Sequence, residues 1–176
     1  SFKHYPNNKA EFSDLRITDV AEDVLGNIWV ASNGGGLMIL DPENEVVTTL
    51  RHNVEDRSTI ASDNLVSVSK GARGMWVGAR DAGLSLVDPT TLEVTRITKK
   101  DGLSSVAAYG VLEDDNLGAW VSGGKGLSVL REKGQWDIYD TSHGLQADDF
   151  NSGAYLRMTD GTFLYGGNSG FNAFNP

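Results

Sequence analysis

A tryptophan-centred stretch that returns every 44 to 47 residues, tight glycine turns on both sides of it, and the lack of any helical spacing of apolar residues predict an all-β fold. The form they predict is a β-propeller segment of about four four-stranded antiparallel blades. The stretch reads GNIWVASNGGGL at 26–37, RGMWVGARDAGL at 73–84, LGAWVSGGKGL at 117–127 and, with leucine in place of tryptophan, GTFLYGGNSGF at 161–171. Trp29 to Trp76 is 47 residues, Trp76 to Trp120 is 44, and Trp120 to Leu164 is another 44.

Each repeat parses in one order. A first apolar strand (ITDVAED, LVSVSKG, AYGVLED, GAYLRM) leads through a polar turn into the tryptophan strand (NIWVAS, GMWVGA, AWVSG, FLYGG). A second tight turn follows, with Asn33-Gly34 tolerating the positive φ that a hairpin needs. The third strand (LMILD, LSLVD, LSVLR, FNAF) then reaches Asp41-Pro42 or Asp88-Pro89, turn formers that lead to a fourth (EVVTTLRH, LEVTRIT, QWDIYD). The last unit stops after its third strand, while the opening SFKHYP reads as a lone fourth strand. The units are therefore 1–16 (outer strand only), 17–64, 65–105, 106–150 and 151–176. Sixteen strands either close a small four-bladed ring or form a slice of a larger propeller, and the residues alone leave both open.

In a stack of twisted sheets each face meets a neighbour, so a large flat side chain at a fixed site can fill each wedge. Trp29, Trp76, Trp120 and, at the same register, Leu164 are predicted to be structural core. Burying ~200 Å² of indole contributes at most about 5 kcal/mol. Trp136, in an outer strand, is expected to be a partly exposed packing residue.

Composition limits function. The chain has 176 residues, 39% apolar and 22% charged, a soluble globular balance. A formal net charge of −9 argues against nucleic acid, whose phosphates are held by Lys and Arg. The lack of cysteine removes disulfides, thiolate nucleophiles and cysteine-type zinc sites together. No window approaches ~18 uninterrupted apolar residues, so direct membrane insertion by these residues is not expected.

No catalytic residue, metal site or cofactor is predicted. The acidic turns EDVLGN and EDDNLG lack calcium-loop spacing, and Asp114, Asp115 and Asn116 read as turn caps. SGGKGLS at 122–128 is a hairpin turn, because a phosphate loop requires Ser or Thr after the lysine and then a helix. His4, His52 and His143 are isolated, and for glycoside chemistry the adjacent acids Asp148 and Asp149 would need a partner carboxylate across the ring.

The segments VAEDVLGNIWVASNGGGLMILDP and VLEDDNLGAWVSGGKGLSVL resemble the two-component regulator propeller repeat, and the stretch from Gly144 to Pro176 resembles its closing blade. The resemblance runs from about residue 15 to 176. It departs in repeat two, where SVSKGARG lacks the acidic pair before the turn, and in repeat four, at Leu164. It implies the closing blades of a seven-bladed propeller in the periplasmic sensor region of a dimeric inner-membrane receptor. In that family an immunoglobulin-like domain and a membrane helix follow, and the output is a histidine kinase or a diguanylate cyclase.

Propeller ligands usually bind on loops at one mouth of the ring. The three loops leading into a first strand are 53–64, 99–108 and 142–151, and all should lie on one face. Arg57, Asp63, Asn64, Tyr109, Asp149, Phe150 and Asn151 are the candidate ligand-binding residues, with a carbohydrate as the possible ligand. The competing reading is that these residues simply close the ring, Asn64 and Asn151 satisfying backbone groups. The expected function is a non-catalytic extracytoplasmic sensor segment that recognises a ligand or transmits its binding. A protein-interaction scaffold is the second reading and a propeller lyase or hydrolase the third.

Overall fold

In the computed structural model, residues 2, 5, 16–131 and 134–176 are described. They form four antiparallel sheets, each a meander whose neighbours in sequence are neighbours in space. The first contains β1 (Arg16–Glu22), β2 (Ile28–Asn33), β3 (Gly36–Asp41) and β4 (Val46–Leu50). The second contains β5 (Leu65–Gly71), β6 (Gly74–Ala79), β7 (Leu84–Val87) and β8 (Val94–Ile97). The third contains β9 (Gly110–Glu113), β10 (Ala119–Ser122), β11 (Leu127–Leu130) and β12 (Trp136–Tyr139). The fourth has three strands, β13 (Phe150–Arg157), β14 (Phe163–Gly167) and β15 (Gly170–Phe174). The all-β propeller architecture is as predicted, while the expected opening strand lies outside the described residues. Two short 3-10 turns, Lys99–Asp101 and Thr141–His143, break the all-strand pattern.

Sheets pack face to face, and one core fills each of the three wedges. Trp29 joins Leu65, Val68, Met75 and Val77 of the second sheet. Trp76 joins Ala108 of the loop before the third sheet and Val111, Ala119 and Val121 of that sheet, and Trp120 joins Phe150, Phe163 and Tyr165 of the fourth. The three indoles are 0%, 1% and 6% exposed, so the wedge-filling role holds for all three. Leu164 differs. Alternation along β14 turns Phe163 and Tyr165 into the third wedge and Leu164 to the opposite face, as it does for Trp76 and Trp120 in their strands, but among the described residues no core lies on that face, so Leu164 is half-buried. Trp136 is half-buried against the second wedge, its indole donating to the Asp101 carbonyl at 2.6 Å.

A buried indole N–H needs an acceptor. Trp29 donates to Asp23 at 2.7 Å and Trp120 to Asp114 at 2.8 Å, in each case an acid six residues earlier. The other carboxylate oxygen of each acid caps the turn between them, taking the amides of Leu25 and Asn27 or of Asn116 and Gly118. Repeat two has no such acid. There Gly71 leaves an open space, and Glu113 of the third sheet fills it: a Cβ on Gly71 would lie 2.7 Å from the Glu113 Oε2.

The first strands of the four sheets meet at a hub tied by side chains. Thr18 donates to the Leu65 carbonyl, Ser69 to that of Val111 and Ser152 to that of Val66. Asp19 accepts from the Val68 amide at 2.9 Å and from the Tyr155 hydroxyl at 2.8 Å, joining the first, second and fourth sheets. The Tyr155 ring crosses Gly110 so closely that a Cβ there would sit 2.1 Å from it.

Candidate functional site

The loops 53–64, 99–108 and 142–151 each run from the last strand of one sheet to the first strand of the next, which places them on one face. Two repeated devices hold them. In the first three sheets, glycines of the hairpin between second and third strands donate to the following loop: Gly34 and Gly36 to the Asp63 carbonyl, Gly83 to that of Val106 and Gly126 to that of Asp148. A polar residue in the third strand then accepts an amide from the loop that leads into its own sheet. Ser85 takes the amide of Ala61 at 2.9 Å, Ser128 that of Ser104 at 3.2 Å, and Asn172 that of Gln146 at 2.9 Å. Sequence reasoning passed over these three, although GLS, GLS and GFN directly after the hairpin turn carried the signal.

The candidate ligand residues do not converge. Asp63 takes the His52 amide at 2.8 Å and pairs with Arg51 at 3.2 Å, so it braces the loop from within. Asn64 donates to Asp81 at 2.7 Å, and its carbonyl takes the Arg80 amide. Tyr109 is half-buried against the third core. Phe150 is 2% exposed inside that core and presents no face to the loops, a correction to its expected role. The reason is alternation, since β13 begins at this residue and its first side chain points into the wedge. Asp149 and Asn151 are exposed, Asp149 lying 3.5 Å from the Asn168 amide nitrogen. Arg57 is exposed and lines a separate cavity. Asp148 turns its carboxylate to the Thr141 amide at 2.9 Å, consistent with a loop cap.

Aromatic side chains do line a cavity on this side, and different residues supply them. A cavity of about 320 Å³ between the third and fourth sheets is bounded by Trp120, Tyr139, His143, Leu145 and Phe174. Tyr139 stacks on Trp120 with ring centres 5.5 Å apart, and Phe174 lies 4.9 Å from the same indole. His143 meets Tyr139 edge-on at 5.6 Å and is held through Nδ1 by Asp140 at 2.9 Å. The Ser142 hydroxyl, then His143 and the Ser142 amide, hold the Asp140 carboxyl below the usual carboxylate range. The Asn172 side chain is already spent, accepting from Gln146 and donating to the Gly144 carbonyl. The result is a mostly apolar recess with a polar rim, suited to the flat face of a small ring. Tyr139 escaped the sequence reading because it lies in an outer strand, and His143, although inside the loop 142–151, because it was judged only as an isolated metal ligand.

No family model matches the chain. Histidine kinase P4 of Formosa agariphila is 24% identical over 175 residues, covering 97% of this chain and 13% of its own length. The extracellular domain of a hybrid two component system from B. thetaiotaomicron superposes with a TM-score of 0.78 at 24% identity, over 99% of this chain and 24% of that one. Virginiamycin B lyase from Staphylococcus aureus superposes with a TM-score of 0.60 at 13% identity, over 92% of this chain and 56% of that one. The chain thus spans a small part of the signalling proteins it is similar to, and what it shares with the solved structures is the propeller fold.

Proposed function

We propose that this chain is part of the extracytoplasmic, ligand-sensing region of a bacterial membrane receptor, and that it is non-catalytic. The observation that supports this most is the similarity across 99% of the chain to the extracellular domain of a hybrid two component system, at a TM-score of 0.78. The similarity to a histidine kinase over 97% of the chain points the same way. On this reading the protein lies in the periplasm, other blades and an immunoglobulin-like domain adjoin it, the receptor is dimeric, and a kinase or cyclase carries the output. Packing between sheets transmits the signal, since a packed interface with two arrangements can bias an attached enzyme.

The aromatic cavity gives the reading a ligand surface, with a sugar ring against Tyr139 and His143. Calorimetric titration of the chain with neutral oligosaccharides tests this: binding that Tyr139→Ala and His143→Ala each weaken supports it. No heat with any sugar would favour a protein-docking scaffold. The fold shared with a lyase makes an enzyme the third reading. Alanine at both Asp148 and Asp149 should leave any polysaccharide breakdown unchanged, and loss of turnover would put catalysis at that pair.

A further inference from the structure

A second cavity, of about 390 Å³, lies between the loop leading into the second sheet and the loop leading into the third, and every charged residue lining it is a cation: Arg57, Arg96, Lys99 and Lys100. The chain as a whole carries a formal net charge of −9, so four cations around one concavity stand against its composition. Among the described residues, Arg57, Lys99 and Lys100 make no ion pair within 4.0 Å and no side-chain hydrogen bond. The adjacent acids are turned into their own turns. Asp56 takes the amide and hydroxyl of Ser58, and Asp101 takes those of Thr98.

The cations stand on fixed supports. Arg96, from β8, is half-buried and donates to the carbonyls of Asn53, Asp56 and Thr59 and to the Thr59 hydroxyl, which clamps the backbone that carries Arg57. Lys99 and Lys100 ride a 3-10 turn closed by a reciprocal Thr98 and Asp101 cap. Burial pulls the Arg96 pKa below the ordinary guanidinium value; Asp56 opposes this, and the like charge of Arg57 adds to it. Asp56 beside Arg96, and Asp101 beside Arg57 and Lys100, offset only part of this charge; the cations in excess raise one another's energy, and an anion placed among them relieves the repulsion.

We infer that this cavity binds a small ligand carrying two or more anionic groups, carboxylate or phosphate, with Arg57 from one loop and Lys99 and Lys100 from the next as its clamp. Guanidinium gives such a group paired donors, and the ammonium groups add mobile point charges. Such a ligand bridges the connections on both sides of the second sheet. The inference rests on the sensing reading for its biological use only, because the binding itself is independent of any output.

The test is calorimetric titration of the intact chain with citrate, pyrophosphate and, as a neutral control, maltose. Citrate or pyrophosphate should bind at one site, and the affinity should fall roughly tenfold or more between about 50 and about 500 mM salt. Joint replacement Arg57→Ala, Lys99→Ala and Lys100→Ala should weaken binding at least about tenfold, while Arg57→Lys keeps most of it. The three exposed side chains make no side-chain hydrogen bond or ion pair, so circular dichroism of the triple variant should match that of the parent. Which anion binds distinguishes carboxylate from phosphate recognition. Failure of both anions to bind, equal binding by the triple variant, or maltose binding weakened by the triple variant would each overturn the inference. Anion binding together with no sugar binding at Tyr139 and His143 would preserve it and remove the carbohydrate reading instead.

Discussion

The indole nitrogen of Trp76, in the second sheet, donates at 2.9 Å to Glu113, which belongs to the third. Glu113 also takes the Ala72 amide at 2.8 Å and pairs with Arg73 at 3.3 Å, so one carboxylate serves the turn, the indole and the cation that covers it. Its side chain is only 5% exposed. Glu113→Ala leaves buried donors and a guanidinium without partners and should cost about 3 kcal/mol. Glu113→Gln, which keeps one acceptor, should cost less. Urea unfolding measures both, and a loss below ~1 kcal/mol for the alanine variant would show that the contact is dispensable.

Wedge position sets a second expectation. Trp76→Ala should destabilise by about 3 to 5 kcal/mol as a core truncation. Leu164→Ala, at the same repeat position but half-buried, should cost about 1 kcal/mol. Comparable losses in denaturant midpoints would mean that the fourth sheet packs on both faces alike.

Alkaline pH probes the buried phenols. Burial first, then the charge of Asp19 and the bond to it, push the Tyr155 pKa far above its ordinary value. Burial does the same for Tyr165, whose hydroxyl donates to the Trp120 carbonyl at 2.7 Å. A folded-state pKa raised above the unfolded one gives stability that is fully present below the unfolded value, about pH 10, and is lost as pH rises beyond it. Above pH ~10 each tyrosine should steepen the decline by about 1.4 kcal/mol per pH unit. Tyr155→Phe and Tyr165→Phe should each flatten the curve, and identical alkaline slopes in parent and variants would contradict this.

Arg96→Ala should free the loop that Arg96 holds through three carbonyls. Amide exchange at Asp56 and Thr59 should quicken at least about tenfold while global stability falls by only about 1 to 2 kcal/mol. Hydrogen exchange resolved by residue reads both. Unchanged protection in 53–59 would mean that the loop is held by its internal turns alone.

The sheets and their wedges could be read from the sequence because each is specified locally. Trp29, Trp76 and Trp120 set the period, and Asp23 and Asp114 sit a fixed six residues before their indoles. Glu113 could not be read as the partner of Trp76, because the two are 37 residues apart and the only local sign was a missing acid next to Gly71. Phe150 was judged by the loop beside it, whereas the pleat turns it inward; Leu164 keeps the register of the tryptophans but lies on a face where no described core forms. Tyr139, His143 and the four cations come together only when consecutive sheets stack, so no single repeat contains either cavity.

The bond between Asp19 and Tyr155 also decides how far a disturbance must travel. With neighbour-to-neighbour packing alone, a tilt of the fourth sheet would reach the first only after passing through two intermediates, losing amplitude at each. A chord across the arc links the two outermost sheets in one step, without either intermediate.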